Sequence, residues 1–230
     1  MQKAAVKTGL VLSGGGARGA YAVGVVQAIV EILGQTALDP APFSIFSGTS
    51  VGSINAGFLA ANAHLGDLAI GQLRKVWTGL EVNALLQARG KTAGLRQLST
   101  GWFSNSLLDA RPLESLVRQH LSFEQLHQNV ATGRVHAMMV AAFNIRTAQT
   151  TIFSELSACT ETRPTRDPSR REHVCQLQVD HILGSSAMPF VFPACRIGDD
   201  YYCDGGLRFN TPISSAIWAR ACSSSLFILL

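Results

Sequence analysis

A serine set between glycines, Gly48-Thr49-Ser50-Val51-Gly52, constrains this chain more than any other feature. The pattern G-x-S-x-G puts a serine at the tip of a sharp strand-to-helix turn, where the backbone is strained and the flanking residues must be small. It requires a buried strand before it and a helix after it. Phe43-Ser44-Ile45-Phe46-Ser47 reads as a short buried strand, and Ser53-Ile54-Asn55-Ala56-Gly57-Phe58-Leu59-Ala60 reads as a helix. The segment therefore predicts an α/β fold that displays a reactive serine at the end of a strand.

The same grammar occurs at the start of the chain. Residues 8–12 read as a buried strand, Gly14-Gly15-Gly16-Ala17-Arg18-Gly19 as a glycine loop, and residues 20–33 as a helix ended by Gly34, its apolar face carrying Val23, Val26, Ala28, Ile29 and Leu33. Alternating strands and helices predict a mainly parallel sheet covered on both sides. Residues 65–82 read as helical. Asp109 reads as the N-cap of another helix, with Pro112 in its first turn and Leu113, Leu116, Val117 and Leu121 buried. Two strands, 135–143 and 150–153, are expected on either side of a polar turn, then a helix over 178–186. Tyr201-Tyr202-Cys203 reads as a strand that delivers Asp204 to its end. Residues 159–173, with Arg163, Arg166, Arg170, Arg171, Pro164 and Pro168, read as a loop without regular structure, either a solvated excursion or an anion-contacting flap.

Composition narrows the class. The 230 residues are 47% hydrophobic and 15% charged, as in one core-rich domain rather than a disordered chain. The net charge of +4 is weak and unclustered, which argues against nucleic acid as a partner and is compatible with an anionic membrane surface. Cys159, Cys175, Cys195, Cys203 and Cys222 contain no C-x-x-C pair, so neither a metal site nor a disulfide framework is expected. Near the N-terminus Lys3, Lys7, Leu10-Val11-Leu12 and Ala20-Tyr21-Ala22 imitate a signal peptide. The apolar run falls short of the ~7–15 residues needed, and Arg18 interrupts it. The expectation is a cytoplasmic protein, peripheral to membranes when acting, without a signal peptide or transmembrane segment.

A serine hydroxyl needs a base to take its proton during attack. Asp204 stands before Gly205 and Gly206, which allow a sharp turn and a close approach, so its carboxylate can reach Ser50 directly. No histidine follows Asp204, which excludes the order serine, acid, histidine with Asp204 as the acid. A triad of Asp109 with His120, His127, His136, His173 or His181 is the formal alternative. The glycine loop has two readings. Gly14, Gly16 and Gly19 satisfy G-x-G-x-x-G, with Asp39 near the place of a ribose-binding acid, as in a dinucleotide-binding module. Alternatively, its backbone N–H groups form an oxyanion hole.

Taken in order, the glycine loop (Gly14 to Gly19), the elbow (Gly48 to Gly52) and Asp204-Gly205-Gly206 resemble the patatin-like phospholipase family. So do Val140-Ala141-Ala142-Phe143-Asn144 with Thr147, the run from Gly184 to Pro193, and Asn210-Thr211-Pro212. The resemblance implies a three-layer α/β/α fold with a mainly parallel central sheet, and lipid acyl ester hydrolysis by a Ser-Asp dyad. Ser50 would be the nucleophile and Asp204 its general base, raised in pKa by partial desolvation. Gly15, Gly16, Ala17 and Arg18 would form the oxyanion hole, and Gly14, Gly19, Gly48, Gly52, Gly205 and Gly206 the motif glycines. No metal or cofactor is implied, and the partner is a lipid substrate reached by transient membrane contact. Phe46, Phe58, Phe190 and Phe192 are candidates for the walls of an acyl pocket, although in a core-rich protein such aromatics more often simply pack the core. A hydrolase of soluble esters or thioesters is the nearest rival. The family pattern continues past residues 213–221, whereas this chain stops at Leu226-Phe227-Ile228-Leu229-Leu230. The expectation is one domain, 1–230, truncated at its C-terminus, with thin cover on one sheet face and an apolar edge.

Overall fold

A computed structural model of the chain describes residues 7–34, 42–80, 106–161, 165–221 and 225–229. Lys3, Asp39, Val82, Arg163, Pro164, Cys222 and Leu230, all part of the readings above, lie outside the described residues. Strand β1 (Lys7–Leu12) runs into the glycine loop, where Gly16–Arg18 form one 3-10 turn, and then into α1 (Gly19–Ile32). Gly34, with φ 65°, ends that unit. Strand β2 (Ile45–Thr49) leads through Ser50 into α2 (Val51–Ala61). Next come α3 (Leu68–Gly79), α4 (Arg111–His120), α5 (Phe123–Ala131), β3 (Ala137–Asn144) and β4 (Gln149–Leu156). The chain continues with β5 (Thr160–Glu161), β6 (Arg170–Val174), α6 (Val179–Ser186), β7 (Cys195–Ile197) and β8 (Asp200–Asp204). It closes with α7 (Ile213–Trp218), β9 (Arg220–Ala221) and β10 (Ser225–Leu229).

The main sheet has the order β10-β1-β2-β3-β4-β6, parallel from β10 to β3 and again between β4 and β6. Period-two alternation sends apolar side chains to both faces. Leu10, Leu12, Phe46, Met138 and Val140 join the larger core under the helices, with Val23, Val26 and Val30 of α1 and Leu126 and Val130 of α5. Val11, Ile45, Ala137, Met139 and Ala141 meet Ala216 and Ala219 on the opposite face. This is the expected layered α/β architecture with a mainly parallel central sheet.

Strand β3 organises the site. One of its edges is taken along the whole length by antiparallel β4, from Ala137↔Leu156 to Asn144↔Gln149. Its other edge is shared. Parallel β2 covers it up to Thr49↔Ala141, and antiparallel β8 covers the remainder, ending at Ala142↔Asp204. Two strands from opposite directions therefore meet end to end on one edge, and the residues at their meeting ends are Ser50 and Asp204.

Several expectations change. The helix anticipated from residue 65 begins at Leu68, because Ala63–Leu65 form a 3-10 turn closed by Gly66 at φ 59°. In α1 the buried valines are Val23, Val26 and Val30, while Ala28 and Leu33, the latter past the last helical residue, are exposed. Ala110 is the N-cap of α4; Asp109 lies one residue earlier and its carboxylate accepts from the Arg111 N–H (2.9 Å). Residues 159–173 are not wholly irregular, since they include β5 and the edge strand β6. The backbone of β6 pairs with β4, and Arg171 puts a charge at the sheet edge beside exposed His173 and Val174.

Candidate active site

Ser50 sits at φ 56° and ψ −131°, a strained conformation for a residue with a side chain. It persists because its surroundings fix it from several directions. Its carbonyl accepts from the Ser53 N–H (2.8 Å) and the Ser53 hydroxyl (2.6 Å), and its N–H donates to Ser185 Oγ (2.9 Å). The flanking glycines are required by close approach rather than by torsion. A Cβ on Gly48 would stand 2.4 Å from the Gly52 carbonyl oxygen, and one on Gly52 would stand 2.2 Å from the Leu12 oxygen. The elbow is thus packed against both its own helix and β1.

The Ser50 hydroxyl donates to Asp204 Oδ2 at 2.6 Å, with both residues buried. The other carboxylate oxygen accepts from the Gly206 N–H (2.7 Å), and the Asp204 N–H donates to the Ala187 carbonyl (2.9 Å). Burial pushes the Asp204 carboxyl above the ordinary carboxylate range, outweighing the bonds from Ser50 and Gly206, which pull it down. Gly205 then passes so close to β3 that a Cβ there would be 2.3 Å from the Ala141 oxygen.

The glycine loop closes over the same place. A Cβ on Gly14 would lie 3.1 Å from Ser50 Cβ and 2.5 Å from Asn210 Oδ1. Reciprocal bonds tie the loop to the chain after Asp204. Gly14 N–H donates to the Asn210 carbonyl (3.2 Å), Asn210 Nδ2 donates to the Gly14 carbonyl (3.2 Å), and the Ser13 and Thr211 hydroxyls are 2.8 Å apart. The Arg18 N–H is engaged in the loop's own turn, donating to the Gly15 carbonyl (3.1 Å). Its side chain folds back, with Nε 3.2 Å from the Cβ position of Gly15. At the far end of the loop, buried Asn55 donates to the Gly19 carbonyl (3.1 Å) and accepts from the Trp77 indole (2.9 Å).

Four of the five candidate histidines have other partners. His127 pairs with Glu155 (2.8 Å), and His181 Nδ1 accepts from the Gln178 N–H within the cap of its own helix. His173 is on the edge strand β6 and contacts the Phe153 ring. His136 lies just before β3, where its N–H meets Ser44, beyond the opposite end of β2 from Ser50. Asp109 pairs with Arg111. Of the candidate pocket aromatics, Phe46 and Phe58 take the core-packing alternative. Phe190 is 83% exposed, and Phe192 is half-buried. Ser185, Asn55 and the Asn210 contacts were not identified from sequence, although Ser185 and Asn210 fall inside segments that carried the resemblance.

The fold and site define an α/β protein with a nucleophile-elbow serine hydrogen-bonded directly to a buried carboxylate. The sequence pattern of the patatin-like phospholipases matches residues 10–217, and the chain belongs to that family. It is 27% identical over 208 residues to a cGAMP-activated phospholipase of Pseudomonas aeruginosa, covering 88% of this chain and 53% of that protein. It is 25% identical over 210 residues to uncharacterized protein R571 of Acanthamoeba polyphaga mimivirus, covering 89% and 60% respectively. The solved structure of VipD from Legionella pneumophila shares the fold, with a TM-score of 0.57 and 16% identity over 97% of this chain and 49% of that one. The chain thus spans between about half and three fifths of the length of the proteins it matches.

Proposed function

We propose that this chain hydrolyses carboxylic esters of phospholipids or lysophospholipids, with Ser50 as nucleophile and Asp204 as general base. The observation that carries the reading is the 2.6 Å hydrogen bond from the Ser50 hydroxyl to Asp204. As Ser50 Oγ bonds to the ester carbonyl carbon, its proton passes to Asp204 and the carbonyl electron pair moves to oxygen. Collapse expels the alcohol, which takes the proton from Asp204, and leaves an acyl-serine. Water then attacks the acyl group with Asp204 again accepting the proton, which returns to Ser50 as the fatty acid leaves. The raised pKa of Asp204, caused by its burial, strengthens it as a base.

The oxyanion formed on attack is assigned to the N–H groups of Gly15, Gly16 and Ala17. Arg18 drops out as a backbone donor because its N–H is engaged with Gly15. Each such donor contributes about 3 kcal/mol of transition-state stabilisation. The locking of Gly14 between Ser50 and Asn210 favours this role over a pyrophosphate cradle.

A lipid substrate is supported by the rim of the site. Met188 and Phe190 follow Ala187, which anchors Asp204, and Leu207 ends the turn after it. Leu107 donates its N–H to the Phe190 carbonyl (2.9 Å). All four side chains are exposed, as suits transient contact with a bilayer surface. Among the described residues no helix is long and apolar enough to cross a membrane. The deciding experiment incubates purified protein with mixed phospholipid and lysophospholipid vesicles and identifies products by mass spectrometry, with Ser50→Ala as control. Free fatty acid released by the wild type alone is expected. Turnover confined to soluble esters or thioesters would replace the lipid reading, and micromolar NAD binding would revive the dinucleotide one.

A further inference from the structure

The meeting of β2 and β8 on one edge of β3 leaves a gap in the hydrogen-bond ladder. Strand β2 ends at Thr49, opposite Ala141, and Ser50 turns out at φ 56°. Strand β8 arrives from the other side and stops at Asp204, opposite Ala142. At the seam stand the Ser50 N–H, a donor, and the Ala141 carbonyl, an acceptor. Ser185, near the end of α6 and fully buried, puts its hydroxyl between them. Its oxygen accepts from Ser50 N–H at 2.9 Å, and its proton goes to the Ala141 oxygen at 2.6 Å. The polarity has one solution, because a carbonyl only accepts and a backbone N–H only donates.

We propose that Ser185 is a positioning residue: its hydroxyl bridges the gap in the ladder and holds the Ser50 backbone at the separation from Asp204 that proton transfer needs. The proposal rests on the Ser50–Asp204 reading above. Both partners are gauged from adjacent residues of one strand. Asp204 is fixed by its pairing with Ala142, and Ser50 is fixed through Ser185 to Ala141. Gly205 passes close to the same Ala141 oxygen, leaving no room for a Cβ there. Removing the Ser185 hydroxyl frees the nucleophile's amide while leaving Asp204, its burial and its bond to Gly206 in place.

The neighbouring Ser186 supplies a matched control. It is also buried at the end of α6, but its hydroxyl has no hydrogen-bond partner. The test is the kinetics of labelling by a fluorophosphonate, resolved into reversible affinity and maximal inactivation rate per folded molecule, with the labelled peptide mapped to Ser50. Ser185→Ala is expected to slow the maximal rate about ten- to hundredfold, the consequence of one unpaired buried N–H at the reacting residue, with affinity changed less than about twofold. Ser185→Cys, slightly larger but of the same shape and with a weak donor, is expected to fall between serine and alanine, and it serves if the alanine variant does not fold. The acid limb of the pH profile should stay where it is in the wild type, because Asp204 is untouched. Ser186→Ala should label at the wild-type rate.

Folded Ser185→Ala and Ser185→Cys that label as fast as wild type would overturn the proposal and leave the dyad standing. A loss in Ser185→Ala matched by the lost fraction of folded protein would reduce Ser185 to a structural residue and overturn it too. Absence of label at Ser50 in the wild type would overturn the dyad, and the proposal with it.

Discussion

Replacing Asp204 by Asn separates what the carboxylate does for chemistry from what it costs the fold. The amide is nearly isosteric and keeps an oxygen for the Gly206 N–H, which now donates to Oδ1 at 2.7 Å. Its nitrogen then faces Ser50, so the position that accepted the hydroxyl proton at 2.6 Å becomes a donor. Loss of a positioned base removes about 10²–10⁴ in rate, and reversing the hydrogen bond puts the effect at the upper end. Stability should move the other way. Asp204 is 5% exposed and burial holds its carboxyl above the unfolded value near ~3.9. With a raised folded-state pKa, the stabilisation belonging to the protonated form is full at low pH and is lost as pH rises through the raised value. Asn carries no such penalty. The melting temperature of the variant relative to wild type should therefore climb from about pH 4 upward and level off once Asp204 is fully ionised. Each pKa unit of elevation corresponds to about 1.36 kcal/mol, and each kcal/mol to about 2–4 °C for a chain of this size. The assays are kcat/KM on a lipid ester and thermal melts across that pH range. A folded Asp204→Asn within about tenfold of wild-type activity would refute the base assignment, and a variant that melts lower at neutral pH would refute the burial argument.

The elbow and the base turn should reject the smallest enlargement: Gly52→Ala and Gly205→Ala, with Cβ positions 2.2 and 2.3 Å from backbone oxygens, are expected to cost about 3 kcal/mol or more by denaturant titration. Gly24→Ala, in the middle of α1 with nothing within 4 Å of the new methyl, should instead stabilise by about 0.5–1 kcal/mol. Asn55→Ala leaves the Trp77 indole and the Gly19 carbonyl unpaired, so a loss of about 1–3 kcal/mol should accompany slower hydrolysis as the glycine loop loosens. The acid limb of the activity profile should lie above the ordinary carboxylate range, because Asp204 must be ionised to act and burial raises its pKa; a limb at the ordinary value would show a solvated base.

Features that announce themselves locally were legible in the sequence. Gly48, Gly52 and Gly205 are demanded by backbone contacts within one turn or one strand crossing, and such demands leave glycine at fixed spacing. The strand before each glycine loop and the helix after it follow from apolar period alone. Ser185 could not be identified this way, because a serine near a helix end looks the same whether it faces solvent or bridges Ser50 to Ala141, and both partners are remote in sequence. Strand β6 was hidden by its own edge position. An outer strand needs charge on its side chains to discourage further pairing, and Arg170, Arg171 and Glu172 after Pro168 therefore read as loop. Phe46 and Phe58 took the core role of the two roles open to an aromatic side chain near a reactive serine.

If Ser50 and Asp204 work as the proposed dyad, the seam on β3 also accounts for a serine site with no need of an imidazole. In a Ser-His-Asp arrangement the ring lies between hydroxyl and carboxylate with a hydrogen bond of about 2.6–3.2 Å on each side, so acid and serine must stand well apart. That spacing arises when they come from separate strands that each end in a loop at the sheet margin. Here the two strands share one edge and run toward each other, Thr49 facing Ala141 and Asp204 facing Ala142. Successive residues of β3 set the separation, and the hydroxyl and carboxylate close to 2.6 Å, with no room for a ring. The same closure buries the carboxylate and raises its pKa, which is the property a lone aspartate needs to serve as base. A longer β2 would run into β8, and a β8 ending earlier would leave a gap wide enough for a histidine or for water. On the proposed mechanism, the register of three strands therefore selects a carboxylate as the base for this elbow.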